Sequence, residues 1–121
     1  MKKLLLLLCC TLSINVYAAK TECENPANSF EAQKCLSIDV KKYKNELNTV
    51  YKKLYSQTEA KAELDAAQKA WLKYNDLQCG NFVAEYTGHS PAAVVMDLDC
   101  QSTLLQQRIS YLKTLYRDWE T

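Results

Sequence analysis

The sequence predicts a small all-α protein, an antiparallel bundle of three main helices stapled by two disulfides. Three observations lead to this fold class. Glycine and proline are scarce, with two of each in 121 residues, so few positions interrupt a helix. Apolar residues recur at steps of three and four, and no stretch alternates between apolar and polar residues as a strand does. Four cysteines remain beyond the amino-terminal leader, and in an oxidising compartment four thiols favour two disulfides.

The leader, residues 1–19, has the layout of a secretory signal peptide. A short basic start precedes an apolar run from Leu4 to Val16, and small residues follow up to Ala19. The run is too short to span a bilayer. We therefore expect cleavage of the leader, no membrane span, and a bacterial protein that is periplasmic or secreted. Residues 20–121 then form a single domain.

The charge balance gives no sign of a nucleic-acid partner. The sequence has fifteen basic and fourteen acidic residues, and loss of Lys2 and Lys3 with the leader leaves thirteen basic residues and a net charge near −1. A nucleic-acid-binding domain carries a basic patch or a basic excess. We therefore expect no nucleic-acid partner. The oligomeric state does not follow from the sequence.

The first helix is predicted to open at Asn28 or Ser29, where Asn28-Ser-Phe-Glu31 resembles a capping box. Its apolar residues follow each other at steps of four and three, which indicates a face packed against other helices. These residues are Leu36, Val40, Tyr43, Leu47, Val50 and Leu54. A second capping box, Ser56-Gln-Thr-Glu59, predicts the start of the second helix.

The second and third helices continue this spacing. The inward residues predicted for the second helix are Leu64, Ala67, Trp71 and Tyr74. Those predicted for the third helix are Leu98, Leu105, Leu112 and Trp119, with Val94, Ile109 and Tyr116 on alternate turns. Between the two helices, a turn contains Gly88, and Ser90 before Pro91 predicts the N-cap and the first residue of the third helix. Short connections between three such helices indicate an antiparallel bundle.

The residues offer little for catalysis or metal binding. His89 is the single histidine, so His-based metal sites and histidine pairs are excluded, and a lone histidine in a turn is usually a tolerated polar residue. No C-x-x-C, P-loop or dinucleotide-binding motif is present. Asp97 and Asp99 lie two residues apart on a helix and point in different directions. We expect no catalytic residue, no metal and no cofactor.

Several motifs cover nearly all of the mature chain. They are Cys23 and Cys35 with Glu31 between them, Gln33-Lys-Cys35-Leu36, Leu47-Asn48-x-x-Tyr51-x-x-Leu54, Ala67-Gln68-x-x-Trp71-x-x-Tyr74-x-Asp76-x-x-Cys79, Gly88-x-Ser90 before Cys100, and Arg108-x-x-x-Leu112. Together they resemble the LprI-like family of exported proteins, whose name-giving member is a lysozyme inhibitor. The chain departs from the family pattern at Asn75, His89 and Leu105, where the family tends to have arginine, glycine and threonine.

The resemblance implies an all-α domain that inhibits a lysozyme (muramidase), and hence a non-enzymatic protein that protects the cell wall by binding a peptidoglycan hydrolase. Two other interpretations fit a small, exported, stapled helical protein. One is an immunity protein that neutralises a peptidoglycan-degrading toxin, an amidase or a muramidase. The other is a structural or interaction module of the envelope. The gene neighbourhood separates a lysozyme inhibitor from an immunity protein, because an immunity gene lies beside its toxin gene.

The four mature cysteines allow three pairings. Cys23 lies just before the first helix and Cys35 about two turns into it, so this segment can fold back to close a short loop. Cys79 and Cys100 flank the Gly88 turn and can face each other across a hairpin. We therefore predict the pairs Cys23–Cys35 and Cys79–Cys100.

A cluster on the second and third helices is interpreted as a lock between them. Its members are Trp71, Tyr74, Asp76 and Arg108. Facing residues of two antiparallel helices have a constant sum of residue numbers, which the second predicted disulfide sets at 179, so Trp71 lies level with Arg108. We expect Arg108 to cover the Trp71 ring or to bond to Gln68, and Tyr74 to pack toward Leu105.

The hairpin beyond the second staple is the predicted binding surface, because a stapled projection loses little entropy on docking. The predicted contact residues are Tyr86, Gly88, His89 and Ser90. Tyr86 is the expected aromatic anchor, and the polar groups of the tip suit the two carboxylates in a muramidase cleft. The alternative is that the apolar residues of the hairpin pack against the N-terminal end of the first helix. Those residues are Phe82, Val94 and Met96.

Overall fold

The computed structural model describes residues 25–117, and all regular structure in this range is helical. The elements are α1 (Ser29–Gln57), α2 (Lys61–Asn75), a π-helical segment (Asp76–Phe82), α3 (Val83–Tyr86) and α4 (Ala92–Arg117). Helix α2, the π segment and α3 follow each other without a break. They therefore form one continuous helical rod, residues 61–86, which connects α1 to α4 along the chain. The predicted all-α class is confirmed. The predicted leader, Cys23 and Trp119 lie outside the described residues.

Helix α1 begins where the sequence predicts. Asn28 is the N-cap, and its Oδ1 accepts a hydrogen bond from the Glu31 N–H at 2.9 Å. The Glu31 carboxylate in turn accepts from the Ala27 N–H at 3.0 Å, one residue before the position that a capping box uses. The box is therefore confirmed on the asparagine side and shifted by one residue on the glutamate side.

The second predicted capping box is wrong. Helix α1 continues to Gln57, and the Ser56 hydroxyl donates to the Lys53 carbonyl at 2.7 Å inside that helix, a backbone contact that serine readily makes. Thr58 ends α1 instead, and its Oγ1 accepts from the Ala60 N–H at 3.1 Å. The turn between α1 and α2 thus depends on one buried threonine.

The core lies between α1 and α4. It consists of Val40, Leu47, Val50, Leu54, Leu105, Ile109 and Leu112. All seven are apolar positions that the sequence predicts to face inward. Glu46 pairs with Lys113 at 2.7 Å, and the Lys53 ammonium lies 4.3 Å from the centre of the Tyr116 ring. Because these partner numbers rise together, α1 and α4 run in the same direction, as the first and third rods of an up-down-up bundle do.

Helix α2 shows the core a more polar face than the sequence predicts. Leu64 and Trp71 pack against the core, as predicted. Ala67, predicted to face inward, is exposed, whereas Gln68 is partly buried and Asn75 is buried. Two amides therefore lie among the inward positions of this rod.

The predicted packing of Tyr74 toward Leu105 is wrong. Tyr74 is 51 % exposed and lies outside the core cluster that contains Leu105. A constant sum of residue numbers sets the level of a residue along the helix axis, and it does not set the direction in which the side chain points. Tyr74 is turned by about 100° from its buried neighbour Asn75, so only one of the two can face inward.

The π segment keeps one side of the rod turned toward α4. The inward residues Trp71, Asn75, Cys79 and Val83 follow each other at steps of four. Four residues advance an α-helix by about 400°, so three such steps drift by about 120°. The i→i+5 hydrogen bonds of a π-helix put more residues in each turn and reduce this drift. The spacing of apolar residues in the sequence does not predict this segment.

The Cys79–Cys100 disulfide joins the rod to α4, which is the pairing that the sequence predicts. The two Cα atoms are 5.4 Å apart, and Cys79 is 1 % exposed. Cys35 is also disulfide-bonded. Its predicted partner lies outside the described residues, so the pairing Cys23–Cys35 stays a prediction.

Helix α4 begins at Ala92, one residue after the predicted first residue, Pro91. The Ser90 carbonyl accepts a hydrogen bond from the Ala93 N–H at 2.9 Å, so a tight turn leads into the helix. Val94, predicted to face inward, is 45 % exposed because it lies in the first turn, beyond the end of the core. Within residues 25–117, no helix combines the length and the apolar character that a membrane span requires.

Candidate functional site

The hairpin between the rod and α4 ends in a Schellman motif. The His89 N–H donates to the Ala84 carbonyl at 2.9 Å, and the Gly88 N–H donates to the Glu85 carbonyl at 3.0 Å. These two bonds define the motif. Gly88 has φ +61° and His89 has φ +55°, so both residues are left-handed. The tip is therefore held by backbone hydrogen bonds as well as by the disulfide behind it.

His89 occupies an unusual position for a residue with a side chain. Left-handed φ is uncommon for residues other than glycine, although histidine is among those that adopt it more often, and glycine is the residue that the family resemblance expects here. The His89 Nε2 lies 3.1 Å from Glu85 Oε1, and both side chains are mostly exposed. A surface contact of this kind contributes little to stability, so the imidazole remains available to a partner.

Two aromatic rings are exposed beside the tip. Phe82 and Tyr86 stack with ring centroids 5.8 Å apart and an interplanar angle of 18°. Their side chains are 55 % and 71 % exposed, and Val94 and Met96 are 45 % and 40 % exposed. These residues are therefore not buried, and the alternative in which they pack against the N-terminal end of the first helix stays a prediction.

The structure also brings together the four predicted contact residues. Tyr86, Gly88, His89 and Ser90 lie within five positions at the end of the hairpin, and the first three are exposed. The geometry thus provides an aromatic side chain, a histidine and a hydroxyl on one rigid end. Their role in binding stays a prediction.

The predicted lock between the rod and α4 is formed by Trp71 and Arg108. The Arg108 Nε donates to Gln68 Oε1 at 3.1 Å, and its Cζ lies 6.0 Å from the Trp71 ring centroid and 5.9 Å from that of Tyr111. Both contacts expected for Arg108 are therefore present. Burial lowers the pKa of Arg108, because desolvation disfavours the charged form. Asp76 is exposed and lies outside this set of contacts.

Asn75 is the residue that the sequence analysis missed. Asn75 is only 7 % exposed, and its buried Nδ2 has no hydrogen-bond partner in the described structure. A buried donor without an acceptor costs about 1–3 kcal/mol. A signal was present in the spacing: Asn75 lies four residues before Cys79, whose inward direction is fixed by its disulfide, and residues four apart share a helix face.

Asn75 lines one end of a groove of about 470 Å³ between α1 and α2. At the other end the Tyr51 hydroxyl donates to Asp65 Oδ1 at 3.3 Å, and Asp65 also pairs with Lys69 at 2.8 Å. Burial, with a contribution from Asp65, raises the pKa of Tyr51, and the hydrogen bond from Lys69 lowers the pKa of Asp65. At the Tyr51 end of the groove the polar groups are hydrogen-bonded to each other. At the Asn75 end the amide donor has no partner.

A stapled helical hairpin with an exposed aromatic end is the arrangement of a small binding protein. Within residues 25–117, no group of three or more His, Cys, Asp or Glu side chains is placed to hold a metal ion. The chain belongs to the lysozyme inhibitor LprI family, whose model matches residues 23–112. It is also 27 % identical to an uncharacterized protein of Rhizobium meliloti (strain 1021), over 95 % of this chain and 93 % of that protein. No solved structure gives a significant match.

Proposed function

We propose that this protein is exported to the periplasm or secreted, and that it inhibits a lysozyme there by binding it, without catalysing a reaction. The family match over residues 23–112 carries this proposal. The proposed form of the mature protein is the single domain 20–121 with a second staple, Cys23–Cys35. Its role is to protect the cell wall against a peptidoglycan hydrolase.

The exposed hairpin end is the proposed inhibitory surface. Tyr86 is the anchor, because it is 71 % exposed and the stacked Phe82 ring restricts its motion before binding. Aromatic anchors of this kind dominate many protein interfaces. His89 and the Ser90 hydroxyl then face the catalytic carboxylates of the target, which glycosidases hold on either side of the scissile bond. The disulfide and the Schellman motif reduce the entropy that this surface loses on docking.

A turbidity assay tests the proposal. Purified mature protein is incubated with a panel of lysozymes and a peptidoglycan amidase, and the lysis of a cell-wall suspension is followed. We expect inhibition of at least one lysozyme, and we expect Tyr86→Ala to weaken it at least tenfold, which corresponds to about 1.4 kcal/mol. His89→Ala should also weaken the inhibition.

Tyr111→Ala is the matched control, because Tyr111 is 55 % exposed and lies 19 residues after Ala92 in α4, about 28 Å along the helix from the hairpin. This variant should inhibit as well as the wild type. If no lysozyme is inhibited and the amidase is, the protein is an immunity protein instead. If Tyr86→Ala and His89→Ala keep wild-type melting curves and full inhibition, the hairpin end is not the inhibitory surface.

A further inference from the structure

The groove between α1 and α2 lies apart from the hairpin end. Its volume of about 470 Å³ falls within the range of about 300–1,000 Å³ that is usual for ligand sites. Along α1 it runs from Lys44 to Tyr51, which is about 10 Å at 1.5 Å per residue. The groove is therefore long enough for part of an extended ligand.

The side-chain amide of Asn75 lacks a hydrogen-bond acceptor, which a ligand in the groove could supply. Asn75 is only 7 % exposed, and its Nδ2 has no acceptor among the described residues. Of the carboxylates that line the groove, Asp65 is already engaged by Tyr51 and Lys69, and Asp76 is exposed to solvent. A ligand that places a carbonyl oxygen at this end of the groove would satisfy the donor and recover its desolvation cost.

The charge of the lining favours a neutral ligand. The groove has two cations, Lys44 and Lys69, and two anions, Asp65 and Asp76, so its net charge is zero. An anionic ligand group beside Asn75 would lie next to the Asp76 carboxylate and be repelled, and a cationic group would not use the donor. A neutral carbonyl, such as that of an amide, meets both conditions.

The remaining lining residues suit a molecule with hydroxyl groups and an apolar face. Trp71 and Tyr51 provide aromatic surface, and such rings bind flat apolar faces. Asn48 and Gln68 add amides that both donate and accept. A saccharide with acetamido substituents offers apolar C–H faces, hydroxyl groups and a neutral carbonyl in one molecule.

We propose that the groove between α1 and α2 binds a neutral oligosaccharide that carries N-acetyl groups, with an acetamido carbonyl accepting a hydrogen bond from Asn75 Nδ2. This site is separate from the hairpin end and does not depend on the proposed inhibition of lysozyme. Asn75 is the residue that determines specificity, because an acetamido carbonyl accepts its hydrogen bond without bringing an O–H group that would itself need an acceptor at this buried position, as a hydroxyl does. Entry of the ligand requires the amide to become accessible from the groove.

The experiment uses the mature ¹⁵N-labelled protein and two sugars that differ in the acetamido groups. N,N′,N″-triacetylchitotriose is titrated while the side-chain amide resonance of Asn75, assigned with Asn75→Leu, is followed by NMR. Cellotriose, which has hydroxyls in place of the acetamido groups, is the comparison. We expect the Asn75 resonance to shift with the acetylated sugar, and we expect that sugar to bind at least tenfold more tightly than cellotriose.

The variants separate the groove from the rest of the molecule. Asn75→Leu should weaken binding of triacetylchitotriose at least tenfold. Asn48→Ala, at an exposed position of the same groove, should also weaken it and serves if Asn75→Leu does not fold. Tyr86→Ala, at the hairpin end, should bind the sugar within a factor of two of the wild type.

Three results would overturn the proposal. The first is the absence of any shift of the Asn75 resonance up to about 10 mM sugar, well above a dissociation constant of 1 mM. The second is equal affinity for the two sugars, and the third is full binding by Asn75→Leu. If Asn75→Leu instead loses inhibition of lysozyme while no sugar binds, the groove contacts the protein target and the saccharide assignment is wrong. Loss of lysozyme inhibition in Tyr86→Ala alone tests the proposed role of the hairpin end and says nothing about saccharide binding in the groove.

Discussion

Removal of the Cys79–Cys100 disulfide should destabilise the protein strongly. The bonded cysteines are 21 residues apart. In the chain-entropy description, closing a loop of this size removes about 11 cal/mol/K from the unfolded state, or about 3.3 kcal/mol at 25 °C. For a domain of about 100 residues, 1 kcal/mol shifts Tm by about 4–8 °C, so the loss should lower Tm by about 13–26 °C.

The assay is thermal and urea unfolding, followed by circular dichroism, of the wild type and of the double variant Cys79→Ala/Cys100→Ala. Alanine is chosen because Cys79 is buried and a serine hydroxyl there would lack a partner. A double variant within about 1 kcal/mol of the wild type would refute the reasoning, because the entropic cost alone is three times larger.

Hydrogen exchange tests whether the staple acts on the unfolded state. If it does, the native hairpin keeps its structure without the disulfide. The N–H groups of Gly88 and His89, which donate to Glu85 and Ala84, should then lose protection only in proportion to the loss of global stability. Selective loss of protection at these two amides would show that the disulfide holds the native tip together instead.

Four further results are expected from single substitutions. Trp71→Ala should lower the free energy of unfolding by about 2–3 kcal/mol, less than for a fully buried tryptophan, as measured by urea unfolding. Gly88→Ala should cost about 1–2 kcal/mol from the positive φ alone, because an added Cβ meets no atom within 4 Å; an unchanged Tm would contradict this. Asn75→Leu should raise the free energy of unfolding by about 1–2 kcal/mol by removing an unpaired donor, whereas Asn48→Leu at the exposed groove position should leave it unchanged. The pKa of Tyr51 is raised above 10.0, so its contribution to stability is present below the unfolded pKa and is lost as the pH rises through the folded pKa. Tyr51→Phe should therefore lose less stability than the wild type as the pH rises above about 10.

The α1–α4 core could be predicted from the sequence because its residues obey local rules. Apolar side chains at steps of three and four, such as Leu47 and Val50, require only that a helix forms and buries its apolar face. The N-cap at Asn28 is equally local, since its partner Glu31 lies three residues away. The Arg108 contacts followed from one additional assumption, the disulfide pairing, which set the level of the two helices.

The inward face of the central rod could not be predicted by the same method. Hydrophobicity selected Ala67 and Tyr74, whereas the structure turns Gln68 and Asn75 inward. The inward residues Leu64, Gln68, Trp71 and Asn75 follow regular helical steps of three and four, so the period itself was correct. The choice failed because two of these inward positions carry amides, and a rule that ranks positions by hydrophobicity passes over them. The direction of the face is fixed by the long-range bond at Cys79, which does not act through local propensity.

Three departures from local rules lie in the rod and its tip, and a fourth, the unpaired Nη2 of Arg108 on α4, belongs to the side chain that bonds to Gln68 of the rod. The π segment, the unpaired amide of Asn75 and the left-handed His89 all belong to the rod and its tip, whereas α1 and α4 supply the regular core. Such departures cost stability and are expected to coincide with functional sites, as π turns often do. Asn75 and His89 lie fourteen positions apart on opposite sides of the staple, so a change at one leaves the hydrogen bonds of the other intact. Variants of the groove and of the hairpin end should therefore have additive effects on stability and separate effects on binding.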